Sequence, residues 1–343
     1  MPVLLSLAAA TAFSVAAALV YLLTDRRWGL RVLDHPNERS LHTRPIPRTG
    51  GVGIVAGVAA GGWTAVVAGS VAAPPVWLFL CAAAVAAVSF VDDLRGLPAV
   101  PRLAAHVAAA LGLIAVGVAP GALEVPGAVW AWPAWVGGGV ALLGTVWMTN
   151  LYNFMDGMDG LAGGMAVVGF GALAVLGLVG GRPDFAVLSL VVVAAAAGFL
   201  LFNFPPARIF MGDVGSSTLG FLAAAMILWG NQEGLFPLWV AALVFSPFVV
   251  DATATLLRRA LAREKVWQAH RSHYYQRLVR VGWGHRRTVV LEYLLMLGCA
   301  LSALLANRAS VPVQWTVLGA WVLAYVVLGL SVTRLERRAG GVR

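Results

Sequence analysis

Long apolar stretches alternate with short polar segments along the whole chain. A window of about 17–25 apolar residues can cross a hydrocarbon core of ~30 Å as a helix. Backbone groups in lipid must be satisfied within their own segment, so the pattern predicts helices rather than open sheets. Eleven spans are predicted: Val3–Thr24, Gly51–Ser70, Pro75–Val91, Leu103–Ala119, Val129–Thr149, Leu161–Gly180, Phe185–Phe202, Val214–Gly230, Leu235–Leu257, Thr288–Ala306 and Val311–Thr333.

Composition agrees with this pattern. Of the 343 residues, 60% are hydrophobic and 11% charged, and the mean hydropathy of +0.84 excludes an ordinary soluble domain. We expect an all-α polytopic integral membrane protein that forms a single transmembrane domain over residues 1–343. Cys81 and Cys299 both fall inside predicted spans, so neither a disulfide framework nor a zinc site is indicated.

The distribution of basic residues predicts the topology. The first span has no positively charged segment before it and is followed by Arg26 and Arg27, which is typical of a retained anchor with its N-terminus outside. Alternating loops then place 22 of the 24 Lys and Arg residues on one side, which the positive-inside rule makes cytoplasmic, together with the C-terminus. Most of the net charge of +9 is explained in this way and by contact with anionic membrane lipids. No nucleic-acid partner is expected.

Polar clusters lie almost entirely on this cytoplasmic side. They fall in or beside the segments 25–50, 92–102, 150–160, 203–213 and 258–287, whereas the outside loops hold only scattered acids such as Glu124 and Glu233. A transporter would place polar groups near the middle of the bilayer and often shows two similar halves, and no such repeat is evident. One site assembled from the five cytoplasmic segments is therefore predicted.

Two groups of acids are candidates for its chemistry. Asp92 and Asp93 end the third span, and adjacent positions on a helix point in different directions, so at most one is expected to face a given ligand. Asn153, Asp156 and Asp159 are spaced by three, which predicts one shared face on a helical turn. Ionisable groups near lipid are costly and are functional candidates by default.

Three further segments carry candidate residues. Asp213 lies between glycines just before the eighth span, where helix N-terminal amides could receive phosphate while the carboxylate holds a metal. Asp251 lies well inside a predicted span and is expected to face the protein interior. His270 and His273 lie three apart in a basic loop, where imidazoles could hydrogen-bond phosphate or sugar.

Together, these acids, glycines and basic residues suit metal-assisted phosphoryl transfer. Mg²⁺ takes one or two carboxylates, keeps several waters and completes its shell with substrate phosphates. Mg²⁺ is the expected cofactor, with Mn²⁺ as the alternative. In such reactions the protein mainly positions the phosphates and the metal.

The motifs resemble those of the polyprenyl-phosphate N-acetylhexosamine-1-phosphate transferases, a superfamily that includes phospho-N-acetylmuramoyl-pentapeptide transferase. The resemblance runs from about Asp34 to Arg287, with the motifs in the right order. They read "DHPNERSLHTRPIPRTGG" (34–51), "DD" (92–93), "NFMDGMDGLAGG" (153–164), "NFPPARIFMGDVGSS" (203–217) and "HRSHYYQR" (270–277).

This resemblance implies a reaction and a set of roles. A polyprenyl phosphate, typically undecaprenyl phosphate, would attack the β-phosphate of a UDP-linked amino sugar at the cytoplasmic face of a bacterial inner membrane, and a homodimer is left open. Asp213 resembles the magnesium ligand, and Asp92, with Asp93 and Asp156, the catalytic carboxylates. The residues that the resemblance assigns to substrate binding are Arg44, Arg48, Asn153, Asp159, Asn203, His270, Arg271 and His273.

Departures from the pentapeptide enzymes indicate a different branch. The segments "RPIPRTGG" and "HRSHYYQ" replace a lysine-rich stretch and a run of adjacent histidines, which looks more like the enzymes that initiate O-antigen or related surface polysaccharides. The donor sugar stays open among N-acetylglucosamine, N-acetylgalactosamine and their 6-deoxy relatives.

Three alternative functions and two mechanisms are compatible with a polytopic chain that carries such acids. The alternatives are the pentapeptide transferase itself, a CDP-alcohol phosphotransferase and a non-enzymatic transporter or scaffold. A CDP-alcohol phosphotransferase would carry the motif Asp-Gly-x-x-Ala-Arg, whereas Asp159-Gly160 is followed by Leu-Ala-Gly-Gly. Because a phosphate monoester has its second pKa near 6, the acceptor is mostly dianionic at neutral pH. Direct attack is therefore favoured over a covalent aspartyl-phosphate route.

Overall fold

The computed structural model describes residues 2–25, 32–34, 45–71, 75–265 and 270–340. Helices dominate these ranges, and a π-helical turn at Val279–Trp283 leads into the twelfth. In chain order the helices are α1 (Pro2–Thr24), α2 (Gly50–Val67), α3 (Val76–Arg95), α4 (Ala99–Ala115), α5 (Ala134–Phe154), α6 (Leu161–Val179), α7 (Pro183–Asn203), α8 (Gly212–Gln232), α9 (Leu238–Val244), α10 (Ser246–Leu261), α11 (Tyr274–Leu278), α12 (Gly284–Ala306) and α13 (Val311–Arg338).

Two small antiparallel strand pairs accompany the helices. Strand β1 (Leu33–Asp34) pairs with β2 (Ile46–Pro47), and β3 (Ala122–Val125) pairs with β4 (Ala128–Ala131) between α4 and α5. The first pair lies next to the site, because Pro47 O accepts a hydrogen bond of 2.7 Å from the Phe210 amide. The strands are too short to form a layer of their own, and the all-α membrane class is confirmed.

Each of the eleven predicted spans contains helix, although not every helix qualifies as a straight span. Within the described ranges, eight helical segments are long and apolar enough to cross a membrane, and a bent pair raises the number to nine. Helix α4, with 17 residues, is shorter, and α5 is not among the eight. The number eleven and the orientation stay predictions.

The ninth predicted span, Leu235–Leu257, is broken rather than straight. Helices α9 and α10 meet at Phe245 with a bend of 82°. Pro247 lies in the first turn of α10, where its missing N–H costs no hydrogen bond but would interrupt a continuous helix. Asp251 on α10 is 8% exposed and faces the interior, as predicted.

The helix bundle is held by close packing of small residues on one side. Ala8, Ala12 and Ala16 of α1 are fully buried. Gly57 of α2 lies so near α1 that a Cβ there would come within 2.7 Å of Ala12 O. Such close backbone approach is a usual way for membrane helices to associate.

Four helices, α3, α4, α5 and α8, bring their polar ends to one end of the bundle. Helix α8 packs against both α3 and α5, and α4 packs against α3 and α5. The segment before α8 is fixed by α2, because the Gly50 and Gly51 amides donate to Phe210 O (2.9 Å) and Met211 O (2.8 Å). The end of α3 and the start of α8 are thereby held next to each other.

Candidate active site

Asp93 fastens the end of α3 to the start of α8. Its carboxylate is 2% exposed and accepts hydrogen bonds from the backbone amides of Asp213 (3.1 Å) and Val214 (3.0 Å). These amides lie in the first turn of α8 and have no partner within the helix. The expectation that the N-terminal amides of α8 are available to phosphate is therefore wrong for these two, because the Asp93 carboxylate already accepts their hydrogen bonds.

Arg48 supports the same junction. Its Nη2 donates to the backbone oxygen of Asp93 at 2.6 Å, and its Nε lies 3.7 Å from the Asp93 carboxylate. The Arg48 side chain is about one third exposed. Arg44, predicted beside it as a substrate contact, lies outside the described residues.

Asp92 and Asp213 share one guanidinium. Arg102 Nη1, at the start of α4, lies 3.0 Å from Asp92 Oδ2 and 3.3 Å from Asp213 Oδ2. Asp92 also accepts a hydrogen bond of 2.5 Å from the Leu97 amide. Unlike Asp93, the Asp213 carboxylate accepts hydrogen bonds only from side chains among the described residues, and it remains 31% exposed.

Arg102 was not singled out from the sequence. Arginines at the cytoplasmic ends of spans are common because they set topology. The sequence therefore does not distinguish Arg102 from an arginine that only sets topology. The available signal was its position in the short segment 92–102, which also holds the Asp92–Asp93 pair.

Asn153 orients Asp213. Its Nδ2 donates to Asp213 Oδ1 at 2.8 Å and lies 3.1 Å from Ser216 Oγ, one turn further along α8. The shared helical face predicted for Asn153, Asp156 and Asp159 is wrong, since α5 ends at Phe154 and residues 155–160 form a loop. Gly160 closes this loop with a φ of +76°, a backbone conformation that glycine adopts without strain.

Asp156 lies in this loop, close enough to the neighbouring acids to interact with them electrostatically. Burial raises the pKa of Asp156 well above its usual range, and the carboxylates of Asp213, Asp93 and Asp159 raise it further. Asp156 therefore lies near the acids of α3 and α8, and its catalytic role stays a prediction.

Asp159 and Asn203 connect the 155–160 loop to the segment before α8. Asp159 accepts a hydrogen bond of 3.0 Å from the Ala207 amide and lies 3.1 Å from His285 Nδ1. Asn203 accepts from the Gly160 amide at 2.9 Å and donates to Ile209 O at 2.8 Å. The two residues are buried, and their predicted contact with the nucleotide stays a prediction.

The histidine loop, residues 270–278, is anchored on Asp251. This carboxylate accepts from the amides of Tyr274 (2.9 Å) and Tyr275 (3.2 Å) at the start of α11. It also lies 3.2 Å from His273 Nδ1, and the His273 side chain is buried. The loop reaches the end of α5 through Tyr275, whose hydroxyl donates to Phe154 O at 3.3 Å.

Arg271 is the exposed residue of this loop, and His270 beside it is half-buried. The ring centroids of His270 and His273 lie 4.8 Å apart, and His270 Nδ1 is 2.9 Å from Ser272 Oγ. Burial lowers the pKa of His270 to about 4, with His273 and Arg259 contributing. His270 is therefore neutral at physiological pH, whereas Arg271 is an exposed cation.

The acids at this end of the bundle offer oxygen donors of the kind that Mg²⁺ requires. No group of three or more His, Cys, Asp or Glu side chains arranged to hold a metal occurs in the part of the chain that the structure describes. Mg²⁺ needs only one or two carboxylates in addition to water and substrate phosphates. The carboxylates of Asp92, Asp93 and Asp213 lie together with the guanidiniums of Arg48 and Arg102, and Asp156 is near enough to interact with these acids electrostatically. The excess of negative charge and the hard oxygen donors fit a magnesium ion.

Comparison with known proteins shows the family of the chain. The family model described as Glycosyl transferase family 4 matches residues 76–231, which include Asp92, Asn153 and Asp213. A probable undecaprenyl-phosphate N-acetylglucosaminyl 1-phosphate transferase of Bacillus subtilis (strain 168) is 31% identical over 317 residues, covering 88% of this chain and 85% of that protein.

Two other relatives differ in how much of the chain they cover. A decaprenyl-phosphate N-acetylglucosaminephosphotransferase of Mycobacterium tuberculosis (strain ATCC 25618 / H37Rv) is 32% identical, covering 96% of this chain and 89% of that protein. A phospho-N-acetylmuramoyl-pentapeptide-transferase of Geobacillus thermodenitrificans (strain NG80-2) is 36% identical, but over 49% of this chain and 51% of that protein. The chain therefore belongs to glycosyl transferase family 4, which confirms the family expected from its motifs.

Proposed function

We propose that this protein transfers an N-acetylhexosamine 1-phosphate from a UDP-sugar to a polyprenyl phosphate in the membrane. The observation that carries the proposal is the group formed by Asp92, Asp213 and Arg102 at the polar end of four membrane helices. We name the acid cluster as Asp92, Asp93, Arg102, Asn153 and Asp213. Its excess negative charge suits a divalent cation, and the cation in turn suits two phosphate-bearing substrates.

The proposed reaction breaks and forms one bond at phosphorus. A phosphate oxygen of the polyprenyl phosphate attacks the β-phosphorus of the UDP-sugar, and the bond from this phosphorus to the oxygen bridging the two phosphates breaks. The bridging oxygen leaves with UMP, and the products are polyprenyl-diphospho-sugar and UMP. The acceptor monoester is mostly dianionic at pH 7, because its second pKa is near 6, so direct attack does not require a strong base.

The residues of the acid cluster have distinct tasks in this proposal. Asp213, fixed by Asn153, would hold Mg²⁺, which when bound neutralises phosphate charge as it develops. Asp92 orients the acceptor phosphate. Arg102, which lies between Asp92 and Asp213, stabilises the charge of this phosphate. Asp93 positions the start of α8 through two backbone amides. The histidine loop, with neutral His270 and exposed Arg271, is proposed to contact the donor.

N-acetylglucosamine is the first candidate for the donor sugar. The Bacillus and Mycobacterium relatives, whose names specify N-acetylglucosamine, are matched over 85% and 89% of their length. The pentapeptide transferase is matched over 51%. We propose a site that faces the cytoplasm of a bacterial inner membrane, since 22 of the 24 Lys and Arg residues fall on that side of the predicted topology. The step would initiate a cell-surface polysaccharide.

Acceptor-dependent release of UMP tests the proposal. Purified protein in detergent with undecaprenyl phosphate and Mg²⁺ is offered UDP-N-acetylglucosamine, UDP-N-acetylgalactosamine and UDP-muramoyl-pentapeptide in parallel. We expect turnover of a UDP-N-acetylhexosamine and none of the pentapeptide donor, with activity removed by EDTA and restored by Mg²⁺. Efficient turnover of the pentapeptide donor would favour the other branch, and no UMP from any donor would remove the proposed function.

A further inference from the structure

A buried histidine pairs with an asparagine just below the acid cluster. His106 of α4 is 5% exposed, and its Nδ1 lies 3.2 Å from Nδ2 of Asn150 on α5. Neither residue belongs to the contacts that tie the loops together. A buried imidazole in a membrane helix is costly unless its polar atoms are used.

The asparagine determines which ring nitrogen of His106 carries the proton. Asn150 Nδ2 also donates to Val146 O at 2.7 Å, so this atom is the amide nitrogen rather than the oxygen. An amide N–H directed at Nδ1 requires Nδ1 to accept. The neutral ring therefore carries its proton on Nε2, and Nε2–H is a donor with no hydrogen-bond partner among the described residues.

The position of the pair relates this donor to the acid cluster. His106 follows Arg102 by four residues on α4, so the two side chains share a face and His106 lies about 6 Å further along the helix. Asn150 precedes Asn153 by three residues on α5, which also places it one turn further from the helix end. Both steps lead away from the loops and towards the bilayer.

We propose that His106 Nε2–H binds the phosphate of the polyprenyl acceptor, a role that rests on the proposed function. The UDP-sugar is water-soluble and reaches the acid cluster from the loop side. The acceptor carries a chain that stays in the bilayer, so its phosphate reaches the cluster from the membrane side, where His106 lies. Arg102 and His106 then form two successive donors on one face of α4, and Asn150 is a positioning residue that keeps the proton on Nε2.

A matched pair of substitutions tests this role. Glutamine places its amide nitrogen near the position of Nε2 in histidine, whereas asparagine reaches only to the position of Nδ1. We expect H106Q to keep the KM for undecaprenyl phosphate within about threefold and H106N to raise it about ten- to hundredfold, the range for a hydrogen bond to a charged group. The KM for the UDP-sugar should change less than twofold in both variants, because the donor is not expected to contact His106. A twofold change corresponds to only about 0.4 kcal/mol, which is within the usual deviation for sites that do not interact.

Asn150 supplies a second measurement. N150A should raise the acceptor KM less than H106N does, and the double variant should be no worse than H106N alone, since the two residues act as one unit. Melting temperatures in detergent are recorded alongside, so that a variant that fails to fold is recognised and H106Q remains as the folded comparison.

The outcomes separate this inference from the proposed function. Wild-type protein that releases UMP, together with an unchanged acceptor KM in a folded H106N, would overturn the role of His106 and leave the transferase intact. An equal rise in the KM of both substrates would likewise overturn it. Wild-type protein that releases no UMP from any donor would remove the proposed function itself.

Discussion

The acid cluster and the histidine loop are built on the same contact but leave different groups accessible. In each, one buried aspartate from another helix accepts two backbone amides at a helix start: Asp93 at α8 and Asp251 at α11. In the acid cluster, Asp92 and Asp213 remain beside this anchor. In the histidine loop, His273 is buried against the anchor, His270 is half-buried and Arg271 is exposed.

This difference separates structural acids from chemical ones. A carboxylate that caps a helix has its lone pairs committed to backbone amides, and removing it should affect folding first. A carboxylate held only by side chains, such as Asp213, can exchange those partners for a metal or a phosphate. The predictions below compare the two kinds of acid, starting with the largest expected effect.

Asp213→Asn should cause the largest loss of activity. The substitution keeps size but removes a charge and a strong oxygen ligand, so transition-state stabilisation of roughly 4 kcal/mol, about a thousandfold in rate, is expected to disappear. UMP release across a Mg²⁺ titration measures the loss. Asp184→Asn, which changes a first-turn acid of α7 beside Arg182, is the matched control and should stay near wild type. Near wild-type activity of Asp213→Asn at low Mg²⁺ would exclude Asp213 as the metal ligand.

Asp93→Ala should mainly reduce stability. Two backbone amides lose their acceptor, which costs about 2–6 kcal/mol at about 1–3 kcal/mol for each unsatisfied group. Asp251→Ala should cost a similar amount for the same reason, whereas Asp213→Asn should not. Thermal unfolding of the three variants in one detergent makes the comparison, and an Asp93→Ala variant as stable as wild type would refute the anchoring role.

Asp156→Asn should stabilise the fold at high pH while reducing activity. Because the pKa of Asp156 is raised in the folded state, the stability that its proton contributes is present at low pH and is lost as the pH rises through the folded pKa. In EDTA, the melting temperature of the variant should exceed that of wild type by a few °C at pH 8, and the gap should shrink towards pH 4.5. A gap that widens as the pH falls would contradict the direction of the shift.

His270→Gln should have the smallest effect and leave the shape of the pH profile unchanged. Since the pKa of His270 is about 4, the ring is already neutral from pH 6 to 8 and does not titrate there. Loss of a neutral hydrogen bond predicts a rate reduction of about two- to tenfold. Rates from pH 6 to 8 should run parallel to those of wild type, and a lost inflection in this range would show that His270 titrates.

Much of the fold could be predicted because a membrane-spanning helix corresponds to a continuous run of apolar residues in the sequence. The break between α9 and α10 had a local signal as well, in Pro247, but a single apolar window hides it. The helical turn predicted for Asn153, Asp156 and Asp159 is wrong because a spacing of three suits a helix but does not require one. Gly157 and Gly160 favour the loop that the structure shows.

The candidate site was only partly predictable. Since successive spans cross the membrane in alternating directions, the sequence predicts that one end of the bundle holds Asp92, Asp93, Asn153 and Asp213. Which acid caps a helix does not, because the contact between Asp93 and the Asp213 amide joins residues 120 positions apart. Arg102 and His106 are hard to predict for a related reason, because their partners Asp213 and Asn150 lie on other helices.

Following the β-phosphorus tests the proposed transfer most directly. UDP-N-acetylglucosamine labelled with ³²P at the β-phosphate is incubated with undecaprenyl phosphate and Mg²⁺, and the lipid extract and the nucleotides are counted separately. The transfer of a sugar 1-phosphate predicts labelled lipid, unlabelled UMP and almost no lipid label with Asp213→Asn. Label that stays in UDP while sugar enters the lipid would show glycosyl transfer without phosphate and would contradict the account.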